Sequence, residues 1–235
     1  MPILFDGVND NAMSNQDAIT GVDTDVTTSA GFIYVNGPIG SVRTVFSVSD
    51  NAAPTGTIVR EMKVGQPISS GHVFRFRHSF STQIGNWRTG DFDTDNWHQF
   101  VVIYDASSVS NNPIFYVDNI SVSVTKIASA IGTRSIGFDT IVFGQAPTVN
   151  AEYFSGETAF ACLDAGLSWD AFQVNRHYWY GNPGGTMKIN YPLVTTDLSN
   201  KGSIANAPLT LNNGAQAVSS ITNAHKGFVL LRSCT

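Results

Sequence analysis

Period-two alternation of apolar and polar side chains recurs along most of the chain, and it constrains the fold more than any other feature. In HVFRFRHSFS (72–81), Phe74, Phe76, His78 and Phe80 fall on one side, while Arg75, Arg77 and Ser79 fall on the other. Successive side chains of a strand point to opposite faces, so the pattern predicts antiparallel strands with one wet face. GTIVREMKVG (56–65) likewise sets Glu61 and Lys63 opposite Met62 and Val64, and SVRTVFSVS (41–49) sets Val42, Phe46 and Val48 together. From Trp97 to Tyr104 both faces are apolar, as in a central strand covered on both sides. PIFYVDNISVS follows the polar loop Asp105 to Asn112 and is expected to pair with it as a long-loop hairpin. Further strands are expected over 30–36, 136–144 and 155–163, punctuated by turn signals such as Asn36-Gly37-Pro38.

One helix is predicted near 169–179. Ser168 can cap WDAFQVNRHYW, Asp170 then lies in the first turn, Leu167 and Phe172 form a hydrophobic staple, and GNPGG (181–185) stops the segment. No repeat or linker divides the 235 residues, so a single domain over 1–235 is expected. Only 13% of residues are charged, against about 25% in ordinary globular proteins, so Ser, Thr, Asn, Gln and Gly must finish the surface. A net charge of −5 with scattered basic residues argues against nucleic acid and anionic lipid as partners. No apolar run suits a membrane span, and Met1 to Asp6 lacks the pattern of a cleaved signal, so synthesis in a cytosol without export is expected. The two cysteines, Cys162 and Cys234, read as a buried thiol and a tail thiol or as one disulfide, and are too few for a framework.

Five landmarks stand in a familiar order: FDGVND near the start, the W-H-x-x-V-V-x-Y-D strand at Trp97, F-Y-V-D-N at Phe115, YFSGETAFACLDAGLS from Tyr153, and the short helix after it. With the closing YPLVTTDLSNKGSIANAPLTL, this order resembles laminin-G-like domains of the concanavalin A-like superfamily, of the single-domain type found in bacterial and phage genomes. The resemblance implies an all-β, two-sheet antiparallel jelly-roll sandwich with its N-terminal strand beside the C-terminal strands. It also makes Trp97 a core anchor. FDGVNDNA lacks the aromatic often found after this motif, and the usual acidic residue of the helix is not clearly placed.

Catalytic patterns are sparse. Glycosidases need two carboxylates flanking one bond, yet the glutamates are only Glu61, Glu152 and Glu157, with no Glu-x-Asp-x-Glu run. There is no Gly-x-Ser-x-Gly elbow or His-Glu-x-x-His pair, and His78 and His98 read as ordinary strand residues. The candidate metal site is DFDTDNW, where Asp91, Asp93 and Asp95 alternate like the start of a calcium loop, although position 102 is Val and no bidentate Glu completes it. The expectation is therefore no cofactor, with calcium as the alternative. For sugar contact, Trp87 and Arg88 in NWRTGD and Tyr178, Trp179 and Tyr180 in RHYWYGN join aromatic faces to hydrogen-bonding groups. Trp87 could equally cap a strand end, and the tyrosines and Trp179 could pack the helix or line a subunit contact.

Three functions follow. The first, implied by the resemblance, is a non-enzymatic bacteriophage virion protein assembled in the host cytoplasm: a capsid decoration or cement protein, head fibre or tail accessory. It would bind the major capsid protein or other virion proteins, as a homo-oligomer. The second is a carbohydrate-binding lectin-like module or receptor-binding protein recognising surface glycans. The third is a glycan hydrolase or lyase.

Overall fold

A computed structural model describes residues 2–14, 24–36, 40–50, 57–65, 72–137, 140–146, 152–184, 187, 189–191, 198–199 and 208–217. The first strands are β1 (Ile3–Asp6), β2 (Asn11–Ser14), β3 (Val26–Val35), β4 (Arg43–Asp50), β5 (Thr57–Gly65) and β6 (His72–His78). They are followed by β7 (Gly85–Phe92), β8 (Trp97–Asp105), β9 (Ile114–Val117), β10 (Ile120–Val122), β11 (Thr125–Ala128) and β12 (Thr140–Phe143). Then come β13 (Ser155–Ala165), helix α1 (Ala171–Tyr180), β14 (Ile189–Tyr191), β15 (Leu209–Asn212) and β16 (Gln216–Ala217).

The strands form two antiparallel sheets. The first runs β10-β9-β8-β3-β13-β1-β16, with β14 also on β13, and the second runs β11-β7-β6-β5-β4-β12-β2-β15. The N-terminal residues serve both sheets: β1 pairs with β13 and β16, and β2 pairs with β12 and β15. This is the predicted jelly roll, with its first strands beside its last.

Between the sheets lies an aromatic core. Phe74, Phe76 and His78 point inward from β6 and meet Phe46, Phe100, Tyr104 and Phe115, with Phe46 and Phe100 stacked at 5.9 Å. Burial of each such ring stabilises the fold by roughly 1.5–3 kcal/mol. The predicted alternation of β6 holds, and β5 turns Met62 and Val64 to the core as expected, but its opposite face is not wet: Glu61 and Lys63 are buried there in an ion-pair cluster. Trp87 belongs to this core and is not a surface platform: it is 0% exposed, its ring lies 5.1 Å from that of Tyr104, and its Nε1 donates to Asn112 Oδ1 at 2.9 Å. A Cβ on Gly85 would stand 2.3 Å from the Trp87 ring, so only glycine leaves room for it.

The second run of the expected hairpin is broken. PIFYVDNISVS divides into β9 and β10 at Asp118 and Asn119, whose φ values of 51° and 66° make the two-residue turn that matches the twist of paired strands.

A second apolar layer explains why β8 is apolar on both faces. Helix α1 covers the outer face of the first sheet, where Val101 and Ile103 pack with Trp169, Val174 and Met187, and Trp97 packs with Phe32, Tyr34 and Phe160. Trp97 is thus a buried anchor beneath the helix. The helix cap is Asp170, not Ser168: its carboxylate accepts from Gln173 N, and Gln173 Oε1 accepts from Asp170 N, a capping box. With Asp170 as cap, the staple pair becomes the buried Trp169 and Val174, while Leu167 and Phe172 are exposed. The helix closes on Gly181 at φ 64°, where the Phe160 ring would collide with any Cβ. Cys162 is a free, buried thiol on β13, and Cys234 lies outside the described residues.

Candidate functional site

The alternation of β8 sends two adjacent polar side chains to opposite faces. His98 turns toward the rim between the sheets, and Gln99 turns toward the helix. Gln99 is fully engaged: Nε2 donates to Val174 O at 3.1 Å and to His177 Nδ1 at 2.9 Å, and Oε1 accepts from Asn119 N at 3.0 Å. His177 Nε2 then donates to Phe160 O at 3.0 Å, which fixes a neutral ring. Burial pushes its pKa down to about 4, against the opposing pull of that carbonyl. One polar network therefore joins the helix to the β9–β10 turn.

The same turn holds His98. Asp118 Oδ2 lies 2.7 Å from His98 Nδ1, and Asp118 Oδ1 accepts from Gln99 N at 2.9 Å. His98 Nε2 faces the carbonyl of Asp93 at 3.0 Å and its carboxylate at 3.4 Å. A carbonyl only accepts, and an ionised carboxylate only accepts, so both ring nitrogens carry protons. Burial opposes that charge, but the bond to and charge of Asp118, with help from Asp93, leave the pKa raised above its ordinary 6.5.

These groups stand in an open cleft of about 460 Å³ at the rim of the sandwich. Asp91, Asp93, His98 and Asp118 supply its polar groups, and Phe92 and Ile120 are among its apolar walls. Ser123 also lines it. Ser, His and Asp do not make a nucleophilic triad here, because His98 Nε2 donates to Asp93 and is unavailable as a base for a hydroxyl.

The sequence candidates are thus divided. Trp87 is core, whereas its neighbour Arg88 points away from the core on the outer face of the second sheet. Asp91 and Asp93 reach the cleft, but Asp91 lies in the β7 ladder opposite Val73 and Asp93 is bonded to Asn96 and His98. Asp95 occupies a left-handed turn, its N donating to Val35 O. Among the described residues no group of three or more His, Cys, Asp or Glu is placed to hold a metal ion. Tyr178 is half-buried and stacks on Phe32 at 6.5 Å, while Trp179 and Tyr180 are 40% and 59% exposed. His98, read from sequence as an ordinary strand residue, and Asp118, which the sequence offered only within the F-Y-V-D-N landmark, are the cleft's central pair. The available signal was Asp-Asn within an apolar run, a turn pair that folds the carboxylate back onto the neighbouring strand.

No protein-family model matches the chain, and no curated protein sequence matches it. Solved structures do. The chain superposes on a heptameric SAP-like pentraxin from Limulus polyphemus with TM-score 0.64 at 10% identity, covering 92% of this chain and 93% of that one. A Bacteroides ovatus protein named for carbohydrate binding gives 0.59 at 14% identity over 91% of this chain and 58% of its own. Tailspike protein 2 of bacteriophage CBA120, in its enzymatically active domain, gives 0.50 at 11% identity over 73% of this chain and 26% of its own. At these identities the likeness establishes architecture alone, and the architecture is a two-sheet antiparallel jelly-roll sandwich.

Proposed function

We propose that this chain is a non-enzymatic carbohydrate-binding module whose rim cleft takes a sugar ring. The observation that carries the reading is the combination, in one open cleft, of three carboxylates beside His98 and the apolar side chains of Phe92, Val117 and Ile120. Carboxylates accept from sugar hydroxyls, the His98 ring is held in place by Asp118 and Asp93, and apolar walls suit the C–H face of the ring. The name of the Bacteroides relative supports the same reading.

A glycan array probed with the full chain tests it. The expected result is saturable binding to a restricted set of saccharides, weakened at least tenfold by Asp91→Asn, an exposed position that leaves the fold intact. An array without saturable binding, or binding indifferent to both Asp91→Asn and Ile120→Asp, overturns the assignment.

A second reading, a virion component that binds other virion proteins, is favoured by one feature. Leu167, Phe172, Trp179 and Tyr180 are exposed together around α1, with the Arg176 guanidinium 5.9 Å from the Phe172 ring. An apolar patch rimmed by polar groups suits a protein contact. The heptameric pentraxin and the phage tailspike are relatives in fold that agree with an oligomer and with a virion setting. A fixed copy number of the chain in purified particles, lost in Trp179→Ala, is the outcome this reading requires.

A further inference from the structure

The outer face of the second sheet carries charges that the rim cleft does not use. The strand register sets Ser47, Glu61, Arg77 and Asn86 in one row across β4, β5, β6 and β7. A parallel row runs Thr44, Lys63, Arg75, Arg88 and Thr125. Lys63 Nζ stands 2.6 Å from Glu152 Oε2 and 3.3 Å from Glu61 Oε2, and Arg77 Nη1 stands 2.8 Å from Glu61 Oε2. Lys63 and Arg77 are therefore matched by Glu61 and Glu152.

Arg75 and Arg88 are not matched. They are directly opposite each other across β6 and β7, and among the described residues neither guanidinium has an ion-pair or hydrogen-bond partner. Like charges directly opposite on paired strands repel, so the arrangement opposes folding unless an anion sits between them. Uncompensated positive charge is also unexpected in a chain of net charge −5.

A second, independent observation points to a ligand. Among the described residues, two polar atoms beside the arginine pair are buried without a hydrogen-bond partner, Arg75 Nε and Asn86 Oδ1. Ser47 and Glu61, each 0% exposed, lie where the face over β4 and β5 is covered and a ligand does not reach. Buried polar atoms are nearly always satisfied, and a donor and an acceptor on neighbouring strands suit a polyhydroxylated molecule. Two arginines at one register position of paired strands can bring two guanidinium forks to one planar or tetrahedral oxyanion.

We infer that Arg75 and Arg88 clamp the carboxylate or sulfate group of an acidic saccharide laid over β6 and β7 on the outer face of the second sheet. The inference rests on the carbohydrate reading above but uses different residues. Arg88 lies only three residues before Asp91 on β7, so the clamp and the cleft are neighbours along one strand.

The test is NMR of the arginine Nε–Hε signals of the full chain. It is titrated separately with an oligogalacturonide, a sulfated oligosaccharide, a neutral maltooligosaccharide and sodium sulfate, using the native chain, Arg88→Gln and Arg75→Gln. The expected result is that one of the two acidic oligosaccharides shifts the Arg75 and Arg88 signals together. Its affinity falls at least tenfold in either variant and falls with added salt, and which of the two binds tells carboxylate from sulfate. Arg88→Gln is expected to melt no lower than the native chain, because it relieves the repulsion. If neutral and acidic saccharides bind alike and Arg88→Gln changes neither, the clamp is wrong while the carbohydrate reading stands. If sulfate shifts both signals and no oligosaccharide binds, the site holds a bare anion and the saccharide clamp is overturned, while the rim cleft is judged separately by the glycan array.

Discussion

His98 and His177 are two buried histidines with opposite assigned charge, and the difference comes from what faces each ring. His98 meets acceptors on both nitrogens, and its pKa rises; His177 donates once and accepts once, and burial takes it down to about 4. His72 and His78 are also lowered, by burial first. The signs are opposite in consequence. A raised folded-state pKa gives stability that is complete below 6.5 and lost as pH rises through the raised value. A lowered one gives stability complete above 6.5 and lost as pH falls toward the lowered value. The denaturation midpoint is therefore expected to peak near pH 6.5 and fall on both sides, and His98→Gln should remove the alkaline limb while leaving the acid limb. Urea titrations at pH 4.5 to 9 check this, and an unchanged alkaline limb in His98→Gln refutes the assignment. Neither histidine's role was legible in the sequence. His98 and Asp118 are separated by 20 positions and meet only through the β8–β9 register.

At the scale of elements, strands with one wet face were readable because period two writes the pairing face into the residues, as in Phe74, Phe76 and His78 against Arg75 and Arg77. Elements defined by local backbone geometry were not. The β9–β10 turn hides inside a continuous alternation, since Asp118 and Asn119 are polar residues that also tolerate positive φ. Strand β7 hides for the opposite reason: Trp87 is flanked by Asn86 and Arg88, and it reads equally as a surface platform or as the cap of a strand end. The helix start was misplaced by two residues because Ser168 and Asp170 both cap well, although Gln173, three positions after Asp170, distinguishes them. Asp170→Ala should lower stability by about 1 kcal/mol, measured as a shift in denaturant midpoint. A variant indistinguishable from the native chain would mean that the packing of Trp169 and Val174 alone holds the helix.

For the molecule as a whole, the pairings that close the sheets join distant parts of the chain: β3 with β13, β1 with β16, and β2 with β15. Such closures must be made against loop entropy before they return any contact energy, so refolding is expected on the millisecond-to-second scale or slower. Stopped-flow tryptophan fluorescence reads this directly through the buried Trp87 and Trp97, and a microsecond phase carrying most of the amplitude would contradict it. The sandwich was legible from alternation and from the order of landmarks. The outer-face rows were not, because Arg75 and Arg88 become neighbours only once β6 and β7 are in register.

The same strand order has a practical consequence for orientation. Strands β1, β16, β2 and β15 occupy one edge of the two sheets, and β7, β9 and β10, which carry the cleft, lie at the other. A surface, bead or larger assembly that grips the β1–β16 edge would hold the molecule with its open rim pointing outward, as a lamp is held by its base. A sensor chip coupled through that edge would leave every copy's cleft facing the flowing sample, whereas coupling through the β9–β10 turn would bury it.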